Sequence, residues 1–194
     1  MATWQNLVEI GPADGGVALQ IAYAGSDNFT GRPIYRRPAC FLLAEAAECL
    51  RRAVDLAAPL GLRLRVFDGY RPTEAQWQLW HHTPDPNFVA DPRRGSPHSR
   101  GAAVDLTLED AMGRPLEMGT PFDDFSVQSH HGRTDVPSGA QRNRALLLGI
   151  MTAAGWDFYK NEWWHYQLFN PRRYPLLSDR AAGTRLMIPA LEEA

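Results

Sequence analysis

Residues 102–108 read AAVDLTL, and their alternation restricts the fold more than any other feature of the chain. Ala102, Val104, Leu106 and Leu108 fall on one side of an extended backbone, and Ala103, Asp105 and Thr107 on the other. That period of two predicts a strand. The apolar side needs a core to pack on. The other side carries one carboxylate between two small residues, which leaves room for something to approach it. Just upstream, in SPHSRG, His98 precedes Gly101, so the loop can fold an imidazole back over the same face.

The rest of the chain supplies elements to pack around this strand. GVALQIAYA (16–24), LRLRVFDGY (62–70) and WWHYQLF (163–169) predict three more strands. ACFLLAEAAECLRRAVDLAAPLG (39–61) predicts a long helix ending near Gly61. RPTEAQWQLWHH (71–82) predicts a helix opened by Pro72, and AQRNRALLLGIMTAAG (140–155) another. Residues 26–38 and 83–95 read as loops. So does 109–139, whose length points to function, and the tail from Pro171 reads as irregular. Strands and helices do not alternate strictly. The predicted class is therefore α+β: a single domain over 1–194 with a central, mainly antiparallel sheet packed by helices.

Charge and apolar runs exclude several function classes. The formal net charge is −2, and basic residues gather only in pairs such as Arg51-Arg52 and Arg93-Arg94. Phosphate-neutralising nucleic-acid binding needs more than that. The longest apolar run, 145–156, is too short to span a bilayer. The opening residues, MATWQNLVEIGPADGG, have no positive n-region and no apolar h-region, so a cytoplasmic location is expected. Cys40 and Cys49 both fall in the predicted 39–61 helix, too far apart along it to bridge, and read as buried thiols of a reducing compartment.

NEWWHYQLF (161–169) brings a second imidazole, and a strand here puts His165 opposite the aromatic face of Trp164 and Tyr166. Trp163 shares the His165 side and flanks Glu162. For Glu162 to meet His165, three residues on, it must lie in the bend before the strand, where Asn161 is a suitable turn residue. Two neutral imidazoles and one carboxylate (His98, His165, Asp105) suit Zn²⁺ and leave its fourth tetrahedral position for water. A Glu beside that water is what hydrolysis requires. Each residue alone has a plainer reading, as a hydrogen-bonded core side chain; the pattern is specific as a set. The pairs His81-His82, at a helix C-terminus, and His130-His131, in the long loop, are not assigned to metal, although the second pair can order that loop over the site.

GSPHSRGAAVDLTL and EWWHY resemble the two signature motifs of the D-alanyl-D-alanine dipeptidases, zinc enzymes related to D,D-carboxypeptidases and to the hedgehog signalling domain. YAGSDNFTG (23–31), DGYRP (68–72), MGTPFDDF (118–125) and SHH (129–131) are similar to further family segments, in the family's order, over about residues 20–170. The resemblance implies the family's zinc-binding fold, with one Zn²⁺ per chain on His98, Asp105 and His165. It implies that Glu162 is the catalytic base, that Arg71 stabilises the transition state, and that Asp123 receives the substrate's free ammonium with Tyr23 nearby. Ser96 then lines the substrate loop. One position departs: where the family's best-known members carry a second Ser before the first His, this chain has Pro97, so any side-chain hydrogen bond from there is lost.

The expected reaction is hydrolysis of D-Ala-D-Ala, a small dipeptide, with no nucleic-acid or membrane partner; self-association into a homo-oligomer is left open. Its use would be depletion of wall precursors, giving vancomycin resistance, or recycling of D-alanine. A D,D-carboxypeptidase or endopeptidase is the alternative enzyme, and Asp123 argues against it because a carboxylate at the end of the cleft favours a free amino terminus. A non-catalytic zinc module predicts loss of Glu162 or Arg71, and both are present. A non-haem Fe(II) oxygenase places its acid two residues after the first His, whereas here the spacing is seven.

Overall fold

A computed structural model describes residues 7–12 and 15–189. Residues 1–6, part of the stretch read for an export signal, lie outside them. In chain order the elements are β1 (Leu7–Ile10), β2 (Val17–Leu19), β3 (Cys40–Leu43), α1 (Ala44–Ala57), β4 (Arg63–Asp68) and α2 (Thr73–His82). Then follow β5 (Ala103–Glu109), α3 (Ser138–Ala153), β6 (Asp157–Phe158), β7 (His165–Gln167) and α4 (Asp179–Ala182). The main sheet runs β2-β4-β5-β7-β6, and β1 pairs with β3 in a separate ribbon. Only β2–β4 is parallel; the other pairings are antiparallel. The architecture is the expected α+β fold with a mainly antiparallel sheet. Among the described residues no helix is long and apolar enough to cross a membrane.

The core forms where the periodicities promised it. On α1, Ala46, Ala47, Leu50, Ala53 and Ala57 make one buried stripe at helical spacing. Every residue of β5 is buried, so its polar face is covered as fully as its apolar one.

Several boundaries differ from the sequence reading. The predicted 39–61 helix begins as a strand: Cys40–Leu43 pairs with β1, and the helix starts only at Ala44. A short continuous apolar run is helix-like or strand-like until a partner strand decides it. Cys40 and Cys49 therefore sit in different elements, both buried. The first predicted strand stops at Leu19, and Tyr23 lies in a 3₁₀ turn, Ala22–Ala24, with its carbonyl accepting from the Ile34 and Tyr35 amides. The last predicted strand shrinks to His165–Gln167, because Trp163 and Trp164 belong to a turn. Pro72 precedes α2 as its cap, which leaves Arg71 in the connection between β4 and α2. The tail is not wholly irregular: it holds a 3₁₀ turn at Pro171–Arg173 and α4, and the Leu177 carbonyl accepts from Tyr70 Oη.

Register sets the site. A bulge between Val66 and Asp68 puts Asp68 opposite Asp105, and Asp105 in turn lies opposite His165. Three polar residues thus stand abreast on three neighbouring strands, and a bulge beside such a row re-aims the side chains of its strand. His98 arrives from a 3₁₀ turn, His98–Arg100, that reverses at Gly101 in the left-handed region, φ 66°. A Cβ there would meet Leu7 Cδ2 at 2.6 Å and the Leu43 amide nitrogen at 3.2 Å, so only glycine lets this turn dock on the β1–β3 ribbon.

Candidate active site

The two imidazoles are oriented from behind. His98 Nδ1 is 2.7 Å from the Gly69 carbonyl oxygen, and His165 Nε2 is 3.1 Å from Gln167 Oε1. Both oxygens only accept, so each ring places its proton on that nitrogen. The opposite nitrogens, His98 Nε2 and His165 Nδ1, then carry bare lone pairs, and they face each other 3.1 Å apart. The Asp105 oxygens lie 3.3 Å from the first and 3.0 Å from the second. Three acceptors turned toward one point repel unless a cation sits among them. For metal–ligand bonds of about 2.0–2.1 Å, a tetrahedron has edges of roughly 3.3–3.4 Å. The donor types and spacings therefore fit a divalent ion such as zinc. His98, Asp105 and His165 are all buried, and among the described residues they are the one His/Cys/Asp/Glu group so arranged.

Arg71 is fixed against this cluster. Its Nε donates to Asp68 Oδ2 (2.8 Å) and its Nη1 to Gln76 Oε1 (3.2 Å), while its Nη2 lies 3.6 Å from Asp105 Oδ2. Tyr35 Oη donates to the other Asp68 oxygen at 3.0 Å. The guanidinium also rests over the Tyr23 ring, 5.0 Å from its centroid. A buried carboxylate with a partner on each oxygen thus clamps the arginine and leaves its outer edge toward the cleft. Arg71, Tyr23, Ser96, Asp123 and Glu162 line one cleft with His98 and His165, of about 220 Å³. That is smaller than the roughly 300–1,000 Å³ typical of sites for drug-sized ligands.

The chain matches the peptidase M15 family model, described as D-ala-D-ala dipeptidase, over residues 5–180. It belongs to this family. The D-alanyl-D-alanine dipeptidase of Escherichia coli (strain K12) is 42% identical over 180 residues, covering 93% of each chain. Those of Streptomyces coelicolor and Enterococcus faecium are 38% and 36% identical over 174 residues, covering 79% of this chain and 86% of each relative. The chain is thus a peptidase of the D-Ala-D-Ala dipeptidase family.

In this family member the remaining predicted residues take distinct places. Tyr23 Oη donates to Asp123 Oδ2 at 3.0 Å. Asp123 has φ 60°, a left-handed conformation uncommon for a residue other than glycine. Burial, and then the like charge of Asp105, push its carboxyl well above the usual range; an arriving cation offsets both. Burial likewise raises Glu162, to about 7, with Asp105 adding to it and His165 and Arg71 opposing it. Glu162 Oε2 lies 3.9 Å from His165 Nδ1, which is possible because Glu162 sits before β7 rather than in it. The Ser96 hydroxyl accepts from the His98 amide at 3.2 Å, so it also holds the turn that delivers the imidazole.

Trp163 is not part of the cleft. Its indole turns into a neighbouring hollow and donates to Thr120 Oγ1 at 2.9 Å. His81 and His82 end α2 and do not line the cleft, and Trp77 is exposed. The sequence reading missed Asp68 and Gln76. Asp68 had a signal, standing three residues before Arg71 in DGYRP; Gln76 had none.

Proposed function

We propose that this chain hydrolyses the free dipeptide D-alanyl-D-alanine with a zinc ion held by His98, Asp105 and His165. The observation that carries this reading is the convergence of three acceptors 3.0–3.3 Å apart beside Glu162, Arg71 and Asp123 in one cleft. The zinc would lower the pKa of a water and polarise the scissile carbonyl. Glu162 takes the proton of the attacking water and returns it to the leaving amine. Burial raises its carboxyl above the usual range, the direction that a group which both takes and returns a proton needs. Arg71, held by Asp68 and Gln76, presents its free edge to the negative charge growing on the carbonyl oxygen. One such donor is worth about 3–4 kcal/mol of barrier.

Asp123 receives the substrate's ammonium group. A carboxylate that burial makes reluctant to ionise gains most from a cation at the cleft end. The acid is oriented by Tyr23 Oη, and an acylated amine offers it no charge. That selects a dipeptide over the end of a longer peptide. Hydrolysis of the free dipeptide then either recycles D-alanine or starves wall precursors of the D-Ala-D-Ala they would carry.

The test is hydrolysis by purified, zinc-supplied protein of D-Ala-D-Ala, L-Ala-L-Ala and N-acetyl-D-Ala-D-Ala, each with and without chelator. Chelator-sensitive cleavage of the free D,D-dipeptide alone is the expected result. Cleavage of the acetylated substrate would make the protein a carboxypeptidase, and binding of zinc without any cleavage would make it a binding module.

A further inference from the structure

Behind the cleft stands a buried arginine that serves the main chain. Arg144, on α3, is 5% exposed. Its Nε donates to the Met118 carbonyl (2.6 Å), Nη1 to those of Gln128 (2.7 Å) and His130 (3.3 Å), and Nη2 to Thr120 Oγ1 (3.3 Å). One guanidinium thus grips both ends of the 118–130 segment, which carries Asp123 between them. Inside the segment the hydroxyl protons can be followed. Ser129 Oγ donates to the Asp124 carbonyl at 2.6 Å. Thr120 Oγ1, 2.9 Å from Ser129 Oγ, therefore donates to it, and is left to accept from Arg144 and the Trp163 indole.

The same segment holds the bend that presents Glu162. The Trp163 amide donates to the Ser129 carbonyl at 3.0 Å, and the His131 amide to the Lys160 carbonyl at 2.9 Å. The His131 ring lies against the Glu162 backbone. Its Nε2 is buried with no hydrogen-bond partner, which leaves Nδ1 as the nitrogen turned to that backbone. Phe158 and Tyr166 meet the ring edge-on, with centroids 5.0 and 6.4 Å away.

We propose that Arg144 and His131 are positioning residues for the hydrolysis, an inference that rests on the dipeptidase reading above. Arg144 sets the segment carrying Asp123, and His131 with Ser129 transmits that position to the bend carrying Glu162. The ammonium receptor and the base are thereby held at one fixed separation. Neither residue touches substrate. A misplacement of about 1 Å at a reacting group costs on the order of 100-fold in rate, which is the scale expected when the link to Glu162 is cut.

The experiment compares His131→Asn with His131→Gln, in which the same amide stands in for different ring nitrogens, and adds Arg144→Lys. Asn reaches the Glu162 backbone as Nδ1 does; Gln projects toward the position of Nε2. His131→Asn is expected to keep kcat on D-Ala-D-Ala within about 3-fold of the unaltered chain, and His131→Gln to lose about 100-fold in kcat. In the Gln variant KM, zinc content and melting temperature should stay close to those of the Asn variant, while hydrogen exchange at the Trp163 amide quickens. Arg144→Lys, lacking the fork that grips two ends, should move both kcat and KM because Asp123 shifts as well. Equal kcat in the two His131 variants overturns the proposal, as does a loss that merely follows the folded fraction. Absence of turnover by the unaltered chain overturns the dipeptidase reading itself, and this inference with it. Turnover by the unaltered chain with no variant impaired overturns the inference alone.

Discussion

Replacing Asp123 by Asn removes one charge and little else. Asn tolerates the left-handed backbone found at φ 60°, and its carbonyl still accepts from Tyr23 Oη. The segment around it stays anchored by Arg144 and Ser129. The lost quantity is therefore the pairing of a shielded carboxylate with the substrate's ammonium. Truncating one partner of a buried, hydrogen-bonded charge pair costs about 2–5 kcal/mol. At about 1.4 kcal/mol per decade this is a loss of roughly 30-fold to several thousand-fold in kcat/KM for D-Ala-D-Ala. Steady-state kinetics on the free and the N-acetylated dipeptide read it directly. The variant's preference for the free amine should shrink by the same factor, because the acetylated substrate never had the pairing. Asp124→Asn is the control: that carboxylate accepts from the Ser126 amide at 2.7 Å and does not line the cleft. A kcat/KM within 3-fold of the unaltered chain for Asp123→Asn, or an equal loss in Asp124→Asn, would refute the assignment.

Other consequences are as direct. Glu162→Gln should lower kcat by about 10²–10⁴-fold with zinc content unchanged by elemental analysis, and retained turnover would end its role as base. Tyr35→Phe leaves one oxygen of Asp68 without its 3.0 Å partner. A cost of about 1–3 kcal/mol should appear as a melting temperature lower by roughly 2–4 °C per kcal/mol in a domain of this size; an unchanged melting curve would refute the clamp. Burial, with the Arg144 charge adding to it, pushes the His131 imidazole down to about 4. A histidine depressed in the folded state contributes stability that is complete above the unfolded pKa of about 6.5 and is lost as pH falls toward 4, by at most about 3 kcal/mol. Urea unfolding at pH 7 and pH 4.5 should show that loss in the unaltered chain and less of it in His131→Asn; equal pH dependence in both would contradict it.

What could be read from the chain alone was whatever the chain keeps local. The alternation in 102–108 placed Asp105 on a strand. The Gly after SPHSR marked a reversal that brings His98 back. The three-residue gap between Glu162 and His165 required a bend, and the strand indeed starts at His165. These features depend on backbone period and turn chemistry, which a few neighbouring residues fix.

What the tertiary structure decided depends on partners distant in sequence. Whether CFLL continued a helix or formed a strand was decided by β1, some thirty residues upstream, because an apolar run of four satisfies either period. Trp163 left the face it was expected to share with His165 once the strand shortened and Thr120 offered its indole an acceptor. Asp68 came opposite Asp105 only through a bulge in β4, and a one-residue change of register is not written in hydrophobic pattern. Arg144 and His131 looked like an ordinary helix arginine and a loop histidine. Their meaning lies in carbonyl groups that exist as acceptors only after the 118–130 segment has closed on α3 and on the Glu162 bend. Side-chain chemistry is carried by each residue wherever it stands. Which main-chain groups it will find is a property of the folded chain.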